Sequence, residues 1–177
     1  MTEELRTDRL LLRRWRDADA APMAAINRDP EVAQLLNRRL DDAGIDGFHA
    51  MVAGHWDAHG YGPWAVERCD TGEFLGFAGL ALVPPLLADA GAGVGPELGW
   101  RLARTAWGHG FATEAAAAAR DDAFARLGLA ELISIIHPDN VRSQRVAVKL
   151  GMNRARQVPN PLLGIDVDVW SLAAPAR

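Results

Sequence analysis

The sequence has few of the residues that form disulfides, bind metal ions or span a membrane. Its 177 residues include one cysteine, Cys69, which excludes an internal disulfide and a multi-cysteine metal site. His55 and His59 have no third metal ligand nearby in the sequence, so no metal site is expected. No apolar run approaches the ~18 residues of a membrane span, and the charged start MTEELRTDRL is unlike a signal peptide. We therefore expect a cytoplasmic protein that does not bind membranes.

A large charge excess is also missing. The formal net charge is -4 and the isoelectric point is near 5.7. The chain therefore has no basic surplus with which to bind nucleic acid or anionic lipid, and no nucleic-acid partner is expected. The small negative balance favours a cationic substrate, such as an amine.

What is present is the composition of an ordinary globular domain. Hydrophobic residues make up 49% and charged residues 24% of the chain, and its length suits one domain over residues 1–177. The apolar pattern predicts strands at 9–15, 64–69, 73–83, 97–102, 132–136, 152–158 and 165–172. It predicts helices at 18–27, 41–59, 110–127 and 140–150, and one long loop at 84–96. The order, roughly βααβββαβαββ, indicates an α/β (α+β layered) fold with helices on the faces of a sheet.

The most informative segment joins a predicted strand to a predicted helix through a glycine-containing turn. Gly108 and Gly110 permit positive φ and a close approach of a ligand to the backbone. The first N–H groups of the following helix suit a pyrophosphate, because the positive end of the helix dipole lies behind them. A turn that merely leads into a buried alanine-rich helix would look the same. The dinucleotide motif GxGxxG fails at Thr113 and no Walker motif is present, so nicotinamide and nucleoside-triphosphate sites are disfavoured.

A second segment, HPDNVRSQRVAVKLGM at 137–152, places polar side chains at the start of a helix that follows a strand. Asn140 stands at the N-cap position, and Ser143 lies within the first turn. Asn140 is either a helix cap alone or a group that also binds a ligand. The residues by themselves leave both interpretations open.

Together the two segments resemble the acyl-CoA site of the GCN5-related N-acetyltransferases, and almost the whole chain resembles the branch named for RimJ and RimL. The matching stretches are TDRLLLR at 7–13, GEFLG at 72–76, ELGW at 97–100, WGHGFATEA at 107–115, NVRS at 140–143 and KLGM at 149–152. Trp107 stands where the wider family has Gln or Arg, a departure shared by this branch. The resemblance implies a mixed, mostly antiparallel sheet flanked by helices, and it suggests a homodimer.

The resemblance also implies that acetyl-CoA is the co-substrate and that no metal takes part. Amides from Gly108 to Thr113 would hold the pyrophosphate, and the strand from Trp100 to Leu102 would pair with the pantetheine arm. One N–H of that strand would face the thioester oxygen, and Asn140 would hold the pantetheine or the thioester. The residues assigned to the cofactor are Trp100, Arg101, Leu102, Trp107, Gly108, His109, Gly110, Phe111, Ala112, Thr113, Asn140 and Ser143.

Acetyl transfer to an amine needs an acid for the leaving thiol and a neutral amine. The tyrosine that supplies the thiol proton in many relatives is replaced by Ala147, and this branch uses a serine at the position of Ser143. Glu97, on the cofactor strand, and His137, at the end of the next strand, are the candidate bases. The simpler interpretations are a helix-start hydroxyl for Ser143, a strand-end surface charge for Glu97 and a polar residue before a proline turn for His137.

These observations predict an N-acetyltransferase that moves acetyl from acetyl-CoA to a primary amine by direct attack in a ternary complex. By resemblance the acceptor is a protein N-terminal α-amine. A site without a strong base suits such an amine, whose reference pKa of ~7.7–8.0 leaves part of it neutral, better than a lysine amine near ~10.4. A small-molecule amine (an antibiotic, a polyamine or an amino acid) and a non-catalytic acyl-CoA-binding module are the alternatives.

Overall fold

One mixed sheet organises the protein. The computed structural model describes residues 4–36 and 41–175, and within these ranges eight strands pair in the order β1-β2-β3-β4-β5-β6-β8-β7. The strands are β1 Glu4–Arg6, β2 Leu10–Arg13, β3 Pro63–Arg68, β4 Phe74–Leu82, β5 Pro96–Leu102, β6 Glu131–Ile136, β7 Asn153–Asn160 and β8 Ile165–Ala173. Every pairing is antiparallel except that of β5 with β6. The parallel pair divides the sheet into two halves.

Helices cover the sheet and connect its parallel pair. In the described ranges they are α1 Ala20–Arg28, α2 Pro30–Ala33, α3 Asp42–Asp46, α4 Phe48–His59, α5 Pro85–Leu87, α6 Phe111–Ala125 and α7 Val141–Lys149. Parallel strands need a crossover, and α6 supplies it between β5 and β6. Its buried alanines, such as Ala115 and Ala119, let α6 pack closely on β4 and β5. None of the helices in these ranges is long and apolar enough to cross a membrane.

The predicted α/β class and the mostly antiparallel sheet are confirmed, and all seven predicted strands are present with ends shifted by a few residues. The edge strand β1 is missing from the prediction because its three residues are too few to show alternation. The helix predicted at 41–59 is wrong as a single helix, since Gly47 separates α3 from α4.

Two short helical segments also lie where no helix is predicted. The side chain of Asp29 accepts the N–H of Glu31 while Pro30 occupies the first position of α2, so a helix restarts where the sequence predicts a stop. In the loop predicted at 84–96, α5 is followed by a π-type turn over Ala88–Ala92. We call residues 84–92 the strap.

The strap covers a small hydrophobic cluster of its own. Its Leu87 and Ala92 are buried against Ile133, Val158 and other aliphatic side chains of β6, β7 and β8, apart from the larger cluster that fills the rest of the fold. Arg156 on β7 fixes the end of the strap, because its Nε donates to the carbonyl of Gly91 at 2.9 Å and its Nη2 to the carbonyl of Ala92 at 2.8 Å. These two hydrogen bonds therefore hold the end of the strap against the sheet.

Candidate active site

A cleft opens where β5 and β6 separate. The two strands share one paired position in the described structure, Glu97 with Ile133. Side chains complete the hydrogen bonding beside it: Ser134 Oγ donates to the carbonyl of Leu98 at 2.6 Å, and Glu97 Oε1 accepts the N–H of Ile135 at 3.3 Å. Beyond this point the edge of β5 facing β6 makes no further ladder pairs in the described residues. An extended ligand can therefore add to this edge as a short strand.

The glycine turn places a row of amides at one end of the cleft. Gly108 and Gly110 both have φ of 82°, a conformation that favours glycine, and α6 begins directly after them. Within residues 4–36 and 41–175, none of the six N–H groups from Gly108 to Thr113 has a hydrogen-bond acceptor. Trp107 anchors the start of the turn, since its Nε1 donates to the carbonyl of Leu102 at 3.0 Å. These amides fit a bound anion such as a pyrophosphate.

A clamp from the beginning of the chain holds this turn in place. Glu114, in the first turn of α6, accepts Thr7 Oγ1 at 2.6 Å, Arg9 N at 3.0 Å and Arg9 Nε at 2.7 Å. Arg9 Nη1 also donates to the carbonyl of His109 at 3.0 Å, and the guanidinium lies 4.7 Å from the centre of the Phe111 ring. Burial raises the pKa of Glu114, but the hydrogen bonds from Thr7 and Arg9 outweigh it and hold the pKa below its ordinary value.

Replacing Glu114 with glutamine should therefore destabilise the protein in a pH-dependent way. We expect the free energy of unfolding to fall by about 2 kcal/mol at pH 7, the size expected for losing hydrogen bonds to a charged group. Because the folded-state pKa lies below the unfolded value of 4.5, this stabilisation is present above that value and disappears as pH falls through the folded-state pKa. Urea unfolding at pH 7 and at pH 3 measures the difference. Glu73→Gln, at an exposed hairpin residue, is the control, and an equal loss at both pH values would contradict the clamp.

The amides border a cavity of about 260 Å³. All residues predicted to bind the cofactor line this cavity except His109, whose ring stacks on Phe111 at 5.7 Å between centroids. Three cations that the resemblance does not assign to the cofactor also line it: Arg142, Arg145 and Lys149 on α7. Their spacing of three and four residues puts them on one helix face. Arg142 lies 4.4 Å from the ring centre of Trp107.

A second cavity, of about 200 Å³, adjoins the first. Trp100, Asn140 and Ser143 line both cavities, so they stand where the two meet. The candidate bases Glu97 and His137 line the second cavity. It is also lined by Pro84 and Leu87 of the strap and by Leu162 in the turn between β7 and β8, and Leu35 and Leu36 after α2 line both cavities.

Asn140 and Ser143 are fixed by the start of α7. Asn140 Oδ1 accepts the N–H of Ser143 at 3.0 Å, so Asn140 does cap the helix as one interpretation held. The Ser143 hydroxyl is half-buried and has no hydrogen-bond partner among the described residues. Ala147, where the resemblance would place a tyrosine, is buried, and Tyr61 lies beside His55 and His59. Neither Ala147 nor Tyr61 lines either cavity.

The two candidate bases differ in their surroundings. Burial of the Glu97 carboxyl raises its pKa to about 7, against opposing effects of the Ile135 N–H and of Arg101. A carboxyl with this pKa exchanges a proton readily near neutral pH. His137 Nδ1 accepts the N–H of Asp139 at 3.1 Å, which engages one ring nitrogen in the turn after β6. The described residues contain no cluster of three His, Cys, Asp or Glu side chains that could hold a metal ion.

Known proteins share this architecture. The family described as acetyltransferase (GNAT) domain matches residues 9–153. The protein YkkB of Bacillus subtilis (strain 168) is 31% identical over 156 residues, which cover 88% of this chain and 88% of YkkB. The uncharacterized N-acetyltransferase YoaA of the same strain is 29% identical over 153 residues, which cover 85% of this chain and 82% of YoaA.

Solved structures agree with this match. An acetyltransferase from Agrobacterium tumefaciens C58 is 28% identical with a TM-score of 0.83 and coverage of 97% of this chain and 95% of that one. RimJ from Mycobacterium smegmatis, in complex with CoA-disulfide, is 20% identical with a TM-score of 0.73 and coverage of 93% and 82%. A variant of spermidine N-acetyltransferase SpeG from Vibrio cholerae is 15% identical with a TM-score of 0.72 and coverage of 95% and 95%. At these lower identities the last two show the shared fold. The family match over most of the chain confirms the resemblance: this protein belongs to the GNAT acetyltransferases, which transfer an acyl group from acetyl-CoA to an amine acceptor.

Proposed function

We propose that this enzyme acetylates the α-amine at a protein N-terminus by direct attack on the thioester within a ternary complex. The observation that carries the proposal is the meeting of two cavities at Trp100, Asn140 and Ser143, beside the open edge of β5. One cavity has the amides and cations that a polyanionic co-substrate needs, and the other holds the candidate base. An acceptor in the second cavity would meet the thioester where the two join.

The lining of the first cavity suits the charge and the hydrogen-bonding groups of acetyl-CoA. The amides from Gly108 to Thr113 would bind the pyrophosphate oxygens, and Arg142, Arg145 and Lys149 would balance the remaining phosphate charge. The edge of β5 from Trp100 to Leu102 would hydrogen bond with the amides of the pantetheine arm. The sulfur would then lie near Asn140 and Ser143, at the boundary of the cavities.

The residues at that boundary would carry the proton transfers. Glu97 would take up the proton of the attacking amine, directly or through one water, and Ser143 Oγ would donate a hydrogen bond or proton to the leaving thiolate. An N–H of β5 would stabilise the oxyanion that develops on the thioester carbonyl. His137 would be limited to a secondary role, because one of its ring nitrogens is engaged by the backbone of Asp139.

The choice of an α-amine as the acceptor rests on a comparison of its pKa with the pKa of Glu97. An amine with a pKa of ~7.7–8.0 is partly neutral at pH 7, so a carboxyl with a pKa of about 7 is a sufficient base. A lysine amine, with a pKa near ~10.4, is neutral in only about one molecule in 2,500 at pH 7. The neighbours RimJ and spermidine N-acetyltransferase share the fold at low identity, so the fold alone leaves the acceptor open.

Two measurements test the proposed function. Calorimetry with acetyl-CoA should show binding at tens of micromolar or tighter, with NAD as a negative control. Thiol release with a panel of peptide α-amines, free amino acids, aminoglycosides and polyamines should show turnover, fastest with peptides. Binding without turnover on any amine would favour an acyl-CoA-binding module, and faster turnover with a small amine would move the acceptor to that class.

The proposed role of Glu97 predicts a shift in the pH profile. We expect kcat to rise with pH through about 7 as Glu97 loses its proton, and Glu97→Gln to remove this limb and lower kcat about tenfold at pH 7.5. The titration of the amine itself, near pH ~7.7–8.0, is common to both proteins. Steady-state rates from pH 5.5 to 9, with exposed Glu131→Gln as the control, measure the effect. An unchanged acidic limb in Glu97→Gln would assign the base elsewhere.

A further inference from the structure

One part of the lining of the second cavity is entirely apolar. The polar side chains that line this cavity, the candidate base Glu97 among them, belong to residues 97–101 and 134–143. The strap and the turn between β7 and β8 contribute Pro84, Leu87 and Leu162, which we call the apolar wall. Asp89, the one ionisable residue of the strap, lines neither cavity. A ligand in the second cavity therefore meets both the polar groups and a surface of hydrocarbon side chains.

A hydrogen-bonded turn holds Leu162 at the cavity. Asn160, which is buried at the end of β7, accepts the N–H of Leu162 on its Oδ1 at 3.0 Å. The carbonyl of Asn160 accepts the N–H of Leu163 at 3.2 Å and that of Gly164 at 2.9 Å. The Leu162 side chain is nevertheless 49% exposed. A ligand that covers it removes apolar surface from water, which favours binding.

The strap presents its part of the apolar wall in a fixed position. Leu87 is buried in the small hydrophobic cluster, and Arg156 holds the end of the strap against β7. Little ordering is then needed when a ligand binds, so less of the binding free energy is lost. A polar group placed against the apolar wall would give up its water without gaining a hydrogen bond from these side chains. The wall therefore favours an apolar group over a polar one of the same size.

We infer that the apolar wall is a subsite for an apolar side chain on the carbon that bears the reacting amine. The occupant follows from the continuity of the site, because the same cavity holds Glu97 and joins the first cavity beside Ser143. An amine that reacts there carries its nearest substituent into the second cavity. A leucine or methionine at a peptide N-terminus satisfies this chemistry, whereas asparagine or serine does not. This inference rests on the proposed function and deepens it by naming the acceptor class.

The first test varies the N-terminal residue of the acceptor with the unaltered enzyme. In the C-terminally amidated tripeptides Leu-Ala-Ala and Asn-Ala-Ala, the first side chains have nearly the same shape but opposite polarity, and Ala-Ala-Ala truncates the side chain. We expect kcat/KM for the Leu peptide to exceed that for the Asn peptide about 30-fold and that for the Ala peptide about tenfold. An Asn or Ala peptide used as well as the Leu peptide would overturn the inference.

A longer acyl chain on the donor is the other apolar group that could occupy the wall. With the Ala peptide as acceptor, we expect hexanoyl-CoA to react more slowly than acetyl-CoA, because the wall then accommodates the acceptor and not the acyl group. Faster reaction with hexanoyl-CoA would assign the wall to the donor and overturn the inference.

The second test assigns the selectivity to the apolar wall. We expect Leu162→Asn to lower the Leu-to-Asn peptide ratio of kcat/KM about fivefold. Leu86→Asn is the matched control, because Leu86 is also 49% exposed and belongs to the strap but lines neither cavity. Both peptides react with the same acetyl-CoA complex, so a change in cofactor binding or folding cancels in the ratio. A ratio that is unchanged in Leu162→Asn, or lowered equally in Leu86→Asn, would overturn the assignment.

One further acceptor separates this inference from the proposed function. The amine 3-methylbutylamine carries the leucine side chain without a peptide, and we expect it to react more slowly than the Leu peptide. Faster reaction would defeat the protein N-terminus as acceptor and leave the apolar subsite in place. Peptide turnover without a preference for leucine would defeat the subsite and leave the proposed function in place. Acetyl-CoA binding with no turnover on any amine would defeat both.

Discussion

Replacing Gly108 with glutamate is expected to lower the affinity for acetyl-CoA by more than 100-fold. Nothing lies within 4 Å of a Cβ built at Gly108, so the side chain has room, but its carboxylate would enter the row of amides proposed to bind the pyrophosphate. The carboxylate and the pyrophosphate carry like charges and would repel each other strongly in this partly enclosed site. The pyrophosphate would also lose its backbone hydrogen-bond donors. Calorimetric titration with acetyl-CoA measures the loss directly.

The chain offers a matched control for this variant. Gly128 also has positive φ, 65°, and nothing within 4 Å of a Cβ, but it lies outside both cavities. Gly128→Glu carries the same backbone strain and the same added charge, so it should retain acetyl-CoA binding. Gly110→Trp, which fills the turn next to Arg9 Nη2, should block binding by bulk. Equal affinities for Gly108→Glu and Gly128→Glu would place the pyrophosphate elsewhere.

Replacing Ser143 with alanine is expected to lower kcat about 100-fold while the affinity for acetyl-CoA changes less than about threefold. General acid groups typically contribute factors of this size. Asn140 caps α7 through the backbone N–H of residue 143 and not through the Ser143 hydroxyl. The N-terminus of α7 should therefore be unchanged in Ser143→Ala. Thiol release under saturating substrates gives kcat, and calorimetry gives the affinity.

Two further serine variants separate chemistry from packing. Ser143→Thr keeps a hydroxyl at this position and should retain a measurable part of kcat. Ser171→Ala removes a half-buried hydroxyl on β8 that lies outside both cavities and should leave kcat unchanged. A Ser143→Ala enzyme with unaltered kcat would show that the leaving thiol needs no proton from this residue.

The sequence is most predictive where local patterns determine the structure. The strands with strong apolar alternation and the glycine turn before α6 are found where they are predicted, because turn chemistry and burial act over a few residues. The clamp on the turn was not predictable in this way. Arg9 and Glu114 are 105 positions apart, and the packing of α6 against β1 and β2 brings them together.

The cations that line the first cavity, and the second cavity as a whole, were not predictable from local sequence patterns either. The spacing of Arg142, Arg145 and Lys149 does show in the sequence as one face of α7, but a solvent-facing helix would have the same spacing. The second cavity combines the segment after α2, the strap, β5, β6 and the turn after β7. No single stretch carries a motif for it, so the sequence could name a candidate base but not the shape of the proposed acceptor site.

The attachment of the strap to β7 bears on how the lining of the second cavity can change. Leu87 packs in a hydrophobic cluster separate from the one that includes Phe111, the first residue of α6, and Arg156 binds the strap to β7 through the backbone carbonyls of Gly91 and Ala92. Because Arg156 donates to backbone carbonyls, its hydrogen bonds do not depend on the side chains of the strap. Substitutions in the strap therefore need no compensating change at Arg156. We therefore expect substitutions in the strap to alter the proposed acceptor wall of the second cavity without disturbing the glycine turn.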